Sequence, residues 1–532
     1  MRLTPSELQV LIARLTGVAD EMGAVLRRAA FSPNIKERAD CSAAVFDRHG
    51  RALAQAAHIP VHLGSMPASV RAVIEDLASG GDVPGLGPGE HAVVNDPFRG
   101  GTHLNDITVV TPVWDRGELL GWVANRAHHA DVGGAAPGSM PADATDIAEE
   151  GLRIPPTRYD DDLRAQLLAA SRTPEERSGD LDAQLGANVV GARRAAGLLR
   201  APTDEVLDHG ERLARAAIAG LPDGEWTAED RLDSTGPGGP PATIRCTVRV
   251  HGDTIGFDFT GTDPQCHGNV NAVEAVCVSA VAYVVRSLLG SDLPTSAGVL
   301  RPVAVVAPAG TIVAARHPAA VGAGNVEVSQ RIVDVVTLAL AGVPGLAVPA
   351  ASQGTMNNLL VGGPGLVGGS GGHDGRGAWV YYETIGGGQG GRPPRPGAPD
   401  AAPRPGMSGV HTHMTNTRNT PVEALERAYP LRVLRYRLRR NSGGVGAASG
   451  GEGIERDLLV LEDVTVSLIT ERRRSQPWGL AGGGPGAVGE NWLLPGGDEG
   501  RAVRLGDKCT LELAAGDVLR MLTPGGGGWG RT

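Results

Sequence analysis

Leu8, Leu11, Leu15, Val18, Met22 and Leu26 recur every three or four residues, the spacing that lines one face of an α-helix. The pattern predicts an amphipathic helix over residues 5–30, capped by Thr4 or Ser6. From 40 to 125 it shortens to strand-like runs punctuated by Gly and Pro: "SAAVFDRHG", "HAVVNDPF", "DITVVTPVW" and "LLGWVANRA". "DRHGRAL" reads as the turn of a hairpin. Residues 160–220 are helical and charged, and "EERSGDLDAQLGANVVGARRAAGLLRA" predicts a long helix broken by one or two glycines.

A Pro/Gly cluster at 233–243 precedes a strand pair, "IRCTVRVHGDTIGFDFTG", and two further helices are expected near 271–289 and 325–341. Residues 345–400 are rich in Gly and Pro, and "PRPGAPDAAPRPG" reads as a mobile loop. From about 443, short apolar runs alternate with "GGEG", "GGGPG" and "PGGGGWG", predicting β-structure joined by tight turns. No repeat at a solenoid period is present. The expected class is α+β: a large, multi-layer mixed α/β chain with a β-rich, glycine-rich C-terminal region. Expected regions are an N-terminal α/β metal-site region (1–232), a central α/β region with Gly-rich loops (233–440) and the β-rich tail (441–532).

Composition narrows the function. The chain has 78 glycines but only 3% aromatic residues, so turns and close backbone packing must do much of the shaping. A net charge of −10 without a basic stripe argues against a nucleic-acid partner. Lys36 and Lys508 are the only lysines, and neither lies in a GxxxxGK[ST] loop, so a Walker-type nucleotide site is absent. Any ATP must be bound elsewhere. The five cysteines are scattered without a CxxC, which argues for a reducing compartment and against a thiolate zinc site. With no signal pattern and no apolar run of membrane-spanning length, the expectation is a cytoplasmic protein without a membrane partner.

Six of the fourteen histidines (His58, His62, His91, His103, His128, His129) fall within residues 58–129, together with Asp96, Asp106 and Asp131. Imidazole and carboxylate donors suit Zn, Mn, Fe or Co. In "RGGTHLND" the glycines permit a turn that lets His103 and Asp106 face one ion. "NRAHHAD" would bring His128 from an adjacent strand end, and Asp40 is a candidate fourth ligand at the entry to another strand. Three or four such ligands with an open position form a site that activates water. A single His–Asp pair is more often a structural hydrogen bond; the second segment shifts that balance. His129 and Asp131 would orient ligands or move protons.

Other residues are candidates for substrate contact, each against a plainer reading. His58 and His62 in "HIPVHLGSM" line a pocket or sit on a surface loop. His411 and His413, two apart in "GVHTHMTNT", share a face if the segment is a strand, or merely alternate with buried positions. Glu383 runs into glycines where backbone can approach a ligand, or where a strand simply ends. Cys41, with no base nearby, reads as a small buried thiol.

In order, "ERADCSAAVFD", "HIPVHLGSMP", "NDPFRGGTHLNDITVVTPVW", "ANRAHHADVGG", "PGSMPADATDIAEEGLRIPP", "YYETIGGGQGG" and "SGVHTHMTNTRNTPVEALE" resemble the hydantoinase B/oxoprolinase family, over about residues 36–430. The resemblance implies a B-type subunit of an ATP-dependent hydrolase of cyclic amides: hydantoin, N-methylhydantoin, 5-oxoproline or lactam. It implies a partner as well, an A-type subunit with an actin-like ATPase fold that phosphorylates the ring carbonyl oxygen, in a heterotetramer or larger assembly. One divalent metal would activate the attacking water. His103, Asp106 and His128 match the metal-binding spacing of the related acetone and acetophenone carboxylases. A ketone carboxylase subunit is the alternative; such chains tend to be longer, so 532 residues favours the hydrolase.

Overall fold

The computed structural model describes residues 3–56, 58–77, 85–290, 293–364, 377–395 and 400–532. Thr4 caps the first helix, α1 (Pro5–Ala29): its hydroxyl accepts the Glu7 N–H at 3.3 Å, and the Glu7 carboxylate accepts the Thr4 N–H at 2.8 Å. The six apolar residues of the helical stripe are all buried. They pack on the hairpin formed by β1 (Cys41–Asp47) and β2 (Ala52–Ala56).

After the short α2 (Pro33–Lys36) and α3 (His62–Leu77), the strands β3 (Ala92–Val94), β4 (Asp106–Asp115), β5 (Glu118–His128) and β6 (Thr157–Arg158) complete a six-stranded sheet. Its order is β2-β1-β5-β4-β3-β6. Alternate side chains leave on opposite faces. Ala43, Val45 and Val123 meet α1, whereas Ala44, Phe46, Trp122 and Ala124 meet Met66, Val70 and Val73 of α3. With both faces covered, these strands read as unbroken apolar runs.

Helices α4 (Asp161–Ala170), α5 (Pro174–Ala195) and α6 (Asp204–Ile218) follow. Contrary to expectation, α5 runs unbroken through its glycines. Gly179 lies against the Phe31 ring and Gly191 against Met22, and a Cβ at either would stand 2.3 Å from its neighbour. These glycines set packing distance; they do not end the helix.

A second sheet, β7 (Gly224–Leu232), β8 (Ala242–His251), β9 (Thr254–Asp258) and β10 (Val303–Val306), has the order β10-β9-β8-β7. The polar strand "GEWTAEDRL" gave no apolar signal and was not foreseen. Helix α7 (Glu274–Leu289) packs on α3 and on α8 (Ser329–Leu340), which covers β7 and β8. One turn of π-helix, Gly324–Val328, leads into α8.

The remaining strands are β11 (Asn358–Gly363), β12 (Trp379–Thr384), β13 (Leu431–Arg439), β14 (Gly453–Val460), β15 (Val464–Ile469), β16 (Glu490–Leu494), β17 (Val503–Leu505), β18 (Lys508–Leu513) and β19 (Val518–Leu522). They form sheets of order β12-β11-β15-β18 and β13-β14-β19-β16-β17, with α9 (Val422–Ala428) beside β13. Strands from before residue 385 and after residue 463 thus share a sheet. Of the loop "PRPGAPDAAPRPG", residues 396–399 lie outside the described residues, and Arg404 exchanges backbone hydrogen bonds with Arg392 at 2.8 and 2.9 Å. No helix among the described residues is long and apolar enough to cross a membrane.

The glycine runs of the tail are more than turns. Gly388 N–H donates to Pro524 O, Gly451 to Gln389 O, Gly526 to Gly451 O and Gly527 to Ala351 O, binding separate extended runs side by side. A Cβ at Gly450 would stand 1.9 Å from the Gly526 oxygen, and one at Gly525 1.9 Å from the Ser442 oxygen. Here backbone packs directly on backbone, which accounts for much of the glycine content.

Gly450→Ala should therefore lower stability by about 1–3 kcal/mol or more through overpacking. Gly186→Ala, at a helical glycine with nothing within 4 Å of its Cβ direction, should raise it by roughly 0.5–1 kcal/mol. Denaturation midpoints of the two variants check the contrast, which equal shifts would contradict.

Candidate metal centre

Register places the first ligand pair. Asp106, the first residue of β4, stands opposite His128, the last of β5. Asp40 directly precedes β1, and its carbonyl accepts the His128 N–H at 3.1 Å. Three neighbouring strand ends therefore deliver three of the expected residues. The loop before β4 delivers the fourth. Gly100 has φ +86°, and a Cβ there would meet the Ala68 carbonyl carbon of α3 at 2.4 Å. The chain can turn so tightly across α3 because it carries no side chain at that point. The Asp106 N–H then donates to His103 O at 3.1 Å, which closes the turn.

All three side chains are buried. Asp106 Oδ1 lies 3.3 Å from His103 Nε2 and 3.5 Å from His128 Nδ1, and the imidazole centroids are 5.0 Å apart. One ligand atom from each residue lies within 4.8 Å of the other two. Both His103 ring nitrogens and His128 Nε2 are buried without a hydrogen-bond partner. Two imidazoles and a carboxylate that converge without aligned hydrogen bonds fit a divalent cation, and the N,N,O donor set admits several. His103, Asp106 and His128 can hold a metal ion.

The other carboxylate oxygen is anchored by protein. Thr102 Oγ1 donates to Asp106 Oδ2 at 2.5 Å, Asn325 Nδ2 approaches it at 3.4 Å and His62 Nε2 at 3.5 Å. Burial opposes the charge on Asp106, but His103, with hydrogen bonds from His128 and His62, holds its carboxyl well below the usual range. Burial pushes Asp40 up to about 7, against the pull of Arg38 at 3.9 Å and with repulsion from Asp106. Burial drives His128 down to about 3, keeping it in the neutral form that ligates a metal.

Several supporting residues were not foreseen. Tyr382 stacks on His128 at 4.6 Å, and the Arg38 guanidinium lies 4.5 Å from the Tyr382 ring centroid. Tyr382 Oη donates to Asn358 Oδ1 at 2.9 Å, and Asn358 Nδ2 to Glu327 Oε1 at 2.8 Å. Ser42 Oγ sits 2.9 Å from His62 Nδ1 and sets that ring. Asp40, His62, Asp106, His128, Asn325, Tyr382, Thr384, Thr415 and Thr417 line a small cavity with Ile59, Val61, Val326, Met356 and Met414.

His62, expected near substrate, reaches this cavity, but the other candidates lie outside its lining. His58 packs against α1, where a Cβ on Gly23 would meet it at 2.6 Å. His129 turns away from His128 and bonds Gln184 Oε1 of α5 at 2.8 Å. The Asp131 carboxylate accepts the N–H groups of Gly133, Gly138 and Arg172 at 2.9–3.1 Å, stapling a loop. Glu383 pairs with Arg456 and accepts Asn419 Nδ2 at 2.6 Å. It leaves β12 on the face opposite Tyr382 and Thr384.

Residues 411–417 are not a strand, so His411 and His413 do not share a strand face. His411 faces Asn419 at 3.3 Å and His413 faces Asp334 at 3.6 Å. Their neighbours Met414, Thr415 and Thr417 line the cavity instead. Burial pushes the Cys41 thiol up to about 12, consistent with an inert core residue.

The hydantoinase B/oxoprolinase family profile matches residues 4–532. The chain is 36% identical to 5-oxoprolinase 1 of Arabidopsis thaliana over 98% of its own length and 42% of that protein. It thus spans about two fifths of the 5-oxoprolinases it matches. It is 32% identical to the B-type chain of a putative D-/L-hydantoinase from Pseudomonas sp. (strain NS671), covering 99% of this chain and 90% of that one. The structure resembles an ATP-dependent caprolactamase from Pseudomonas jessenii with a TM-score of 0.88 and 25% identity, covering 100% and 92% of the two chains. Acetone carboxylase shares the fold, with a TM-score of 0.84 at 19% identity over 98% and 75%.

Burial holds His129 and His411 down at about 4. In the unfolded chain each titrates near 6.5. Between those values the unfolded state binds more protons, so stability is full above pH ~6.5 and declines as pH falls toward about 4. Thermal midpoints measured from pH 7 to 4 should fall, and fall less steeply in His411→Asn. An identical slope in the variant would contradict the assignment.

Proposed function

Because the chain belongs to the hydantoinase B/oxoprolinase family, we propose that it is the B-type subunit of an ATP-dependent cyclic-amide hydrolase. Its substrate would be a hydantoin, N-methylhydantoin, 5-oxoproline or lactam ring whose carbonyl oxygen a separate A-type ATPase subunit has phosphorylated. The observation that carries this reading is the buried His103–Asp106–His128 set at the wall of a closed cavity. The missing Walker loop and the partial span of the 5-oxoprolinases support a separate ATPase subunit.

A cyclic amide resists attack because nitrogen donates into its carbonyl. Phosphorylation turns the oxygen into a leaving group and leaves an electrophilic carbon. In this reading His103, Asp106 and His128 hold the metal, with Asp40 the nearest further carboxylate. The metal would supply Lewis acidity that activates water near neutral pH. Thr102 and His62 hold Asp106 in orientation through its second oxygen, and Tyr382 holds the His128 ring by stacking. Ile59, Val61, Val326, Met356 and Met414 keep bulk water off the reactive carbon. We assign His129 and Asp131 to holding the loops around the site, and substrate contact to His62 and Thr384.

Purified protein should contain near-stoichiometric divalent metal by elemental analysis, and His103→Ala and Asp106→Ala should lose it. Thr102→Val should weaken metal affinity by about 10–100-fold. With the A-type partner, ATP and a cyclic amide, the wild type should form ring-opened product and His103→Ala none. Metal retained in both ligand variants, or turnover that requires bicarbonate, would overturn the reading.

A further inference from the structure

The π-turn before α8 places a second polar side chain at the cavity. Its path is fixed by backbone contacts. A Cβ on Gly324 would stand 1.9 Å from the Asn271 oxygen. The N–H groups of Ala323 and Gly324 donate to Asn269 O at 2.8 and 3.2 Å, and those of Val321 and Gly322 to the Glu150 carboxylate at 2.8–3.1 Å. Ser329 Oγ donates to Asn325 O at 2.7 Å. Single π-turns inside helices occur often at functional sites. Here the turn sends Asn325 to Asp106 and Glu327 to Asn358, serving two sides of one centre.

Asn325 Nδ2 faces the Asp106 carboxylate, which settles the orientation of the amide. Its Oδ1 is then buried without a donor, on a residue that is 4% exposed and lines the cavity. The neighbouring polar groups are otherwise occupied. Thr384 and Thr417 hydroxyls bond each other at 2.7 Å, Tyr382 Oη bonds Asn358, and the Asp40 carboxylate sits beside Arg38. A buried neutral acceptor without a donor is rare and calls for a ligand.

We propose that Asn325 Oδ1 accepts the hydrogen of the ring nitrogen that flanks the reacting carbonyl, so that the site selects cyclic amides bearing an N–H over their N-alkylated forms. This rests on the cyclic-amide reading above. When water adds across the C=N bond of an O-phosphorylated ring, its oxygen bonds to carbon, the π pair moves to nitrogen, and nitrogen takes the proton that water gives up. The N–H that Asn325 awaits thus forms during the step, where a contact accelerates the reaction most. Asn325 is a substrate-positioning residue that leaves the metal to its three ligands.

The test is direct binding to the metal-loaded full chain, by calorimetry or ligand-observed NMR, of 2-pyrrolidinone and N-methyl-2-pyrrolidinone. Wild type should prefer the N–H lactam by about tenfold or more. Asn325→Leu should bring the ratio close to one while N-methyl affinity and metal content stay unchanged. Asn325→Ala provides the same comparison if the larger side chain prevents folding. A preference that survives in these variants, or metal lost from them, would overturn the proposal. Wild type that binds both lactams equally overturns this inference alone; wild type that binds neither overturns the cyclic-amide reading with it.

Discussion

A carboxylate sealed from water must be matched by positive or donating groups, or it cannot stay charged. Asp106 is such a group, and the elements around it are arranged to satisfy it. The six-stranded sheet supplies Asp106 and His128 by register, the loop across α3 supplies Thr102 and His103, α3 supplies His62, and the π-turn supplies Asn325. One oxygen is held by protein and the other faces two unpartnered imidazoles. That asymmetry makes the cluster a cation site and not merely a buried ion pair.

Glycine makes these approaches possible. At Gly100 it lets a loop cross a helix with no room for a Cβ, and at Gly324 it lets the π-turn pass against residues 269–271. In the tail it allows several extended runs to pack backbone to backbone. The gain is rigidity without aromatic bulk, which fits a chain with so few aromatic side chains. Rigid flanking elements are what a preorganised site needs, since a loose ligand loses its geometry.

Legibility followed sequence distance. His103, Asp106 and His128 could be read because two lie within one turn and the third ends the adjacent strand of a local hairpin. Tyr382, Asn358, Glu327 and Asn325 reach the site from more than 200 residues away, and no local pattern marks which segment will arrive. Side-chain parity was the other blind spot. In "YYET" the acid drew attention, yet Tyr382 and Thr384 face the cavity while Glu383 pairs with Arg456 on the reverse of the strand. His128 and His129 divide in the same way.

Local periodicity and short-range spacing set the first helix and its Thr4 cap, the strands, and the His–Asp–His core of the site, because each depends on neighbours within a few residues or one hairpin. Only the tertiary structure decided that α5 tolerates its glycines, that the tail packs as a glycine bundle, and which face of β12 meets the metal centre. Those outcomes depend on what stands opposite each residue after folding. Sequence order carries no direct record of that opposition.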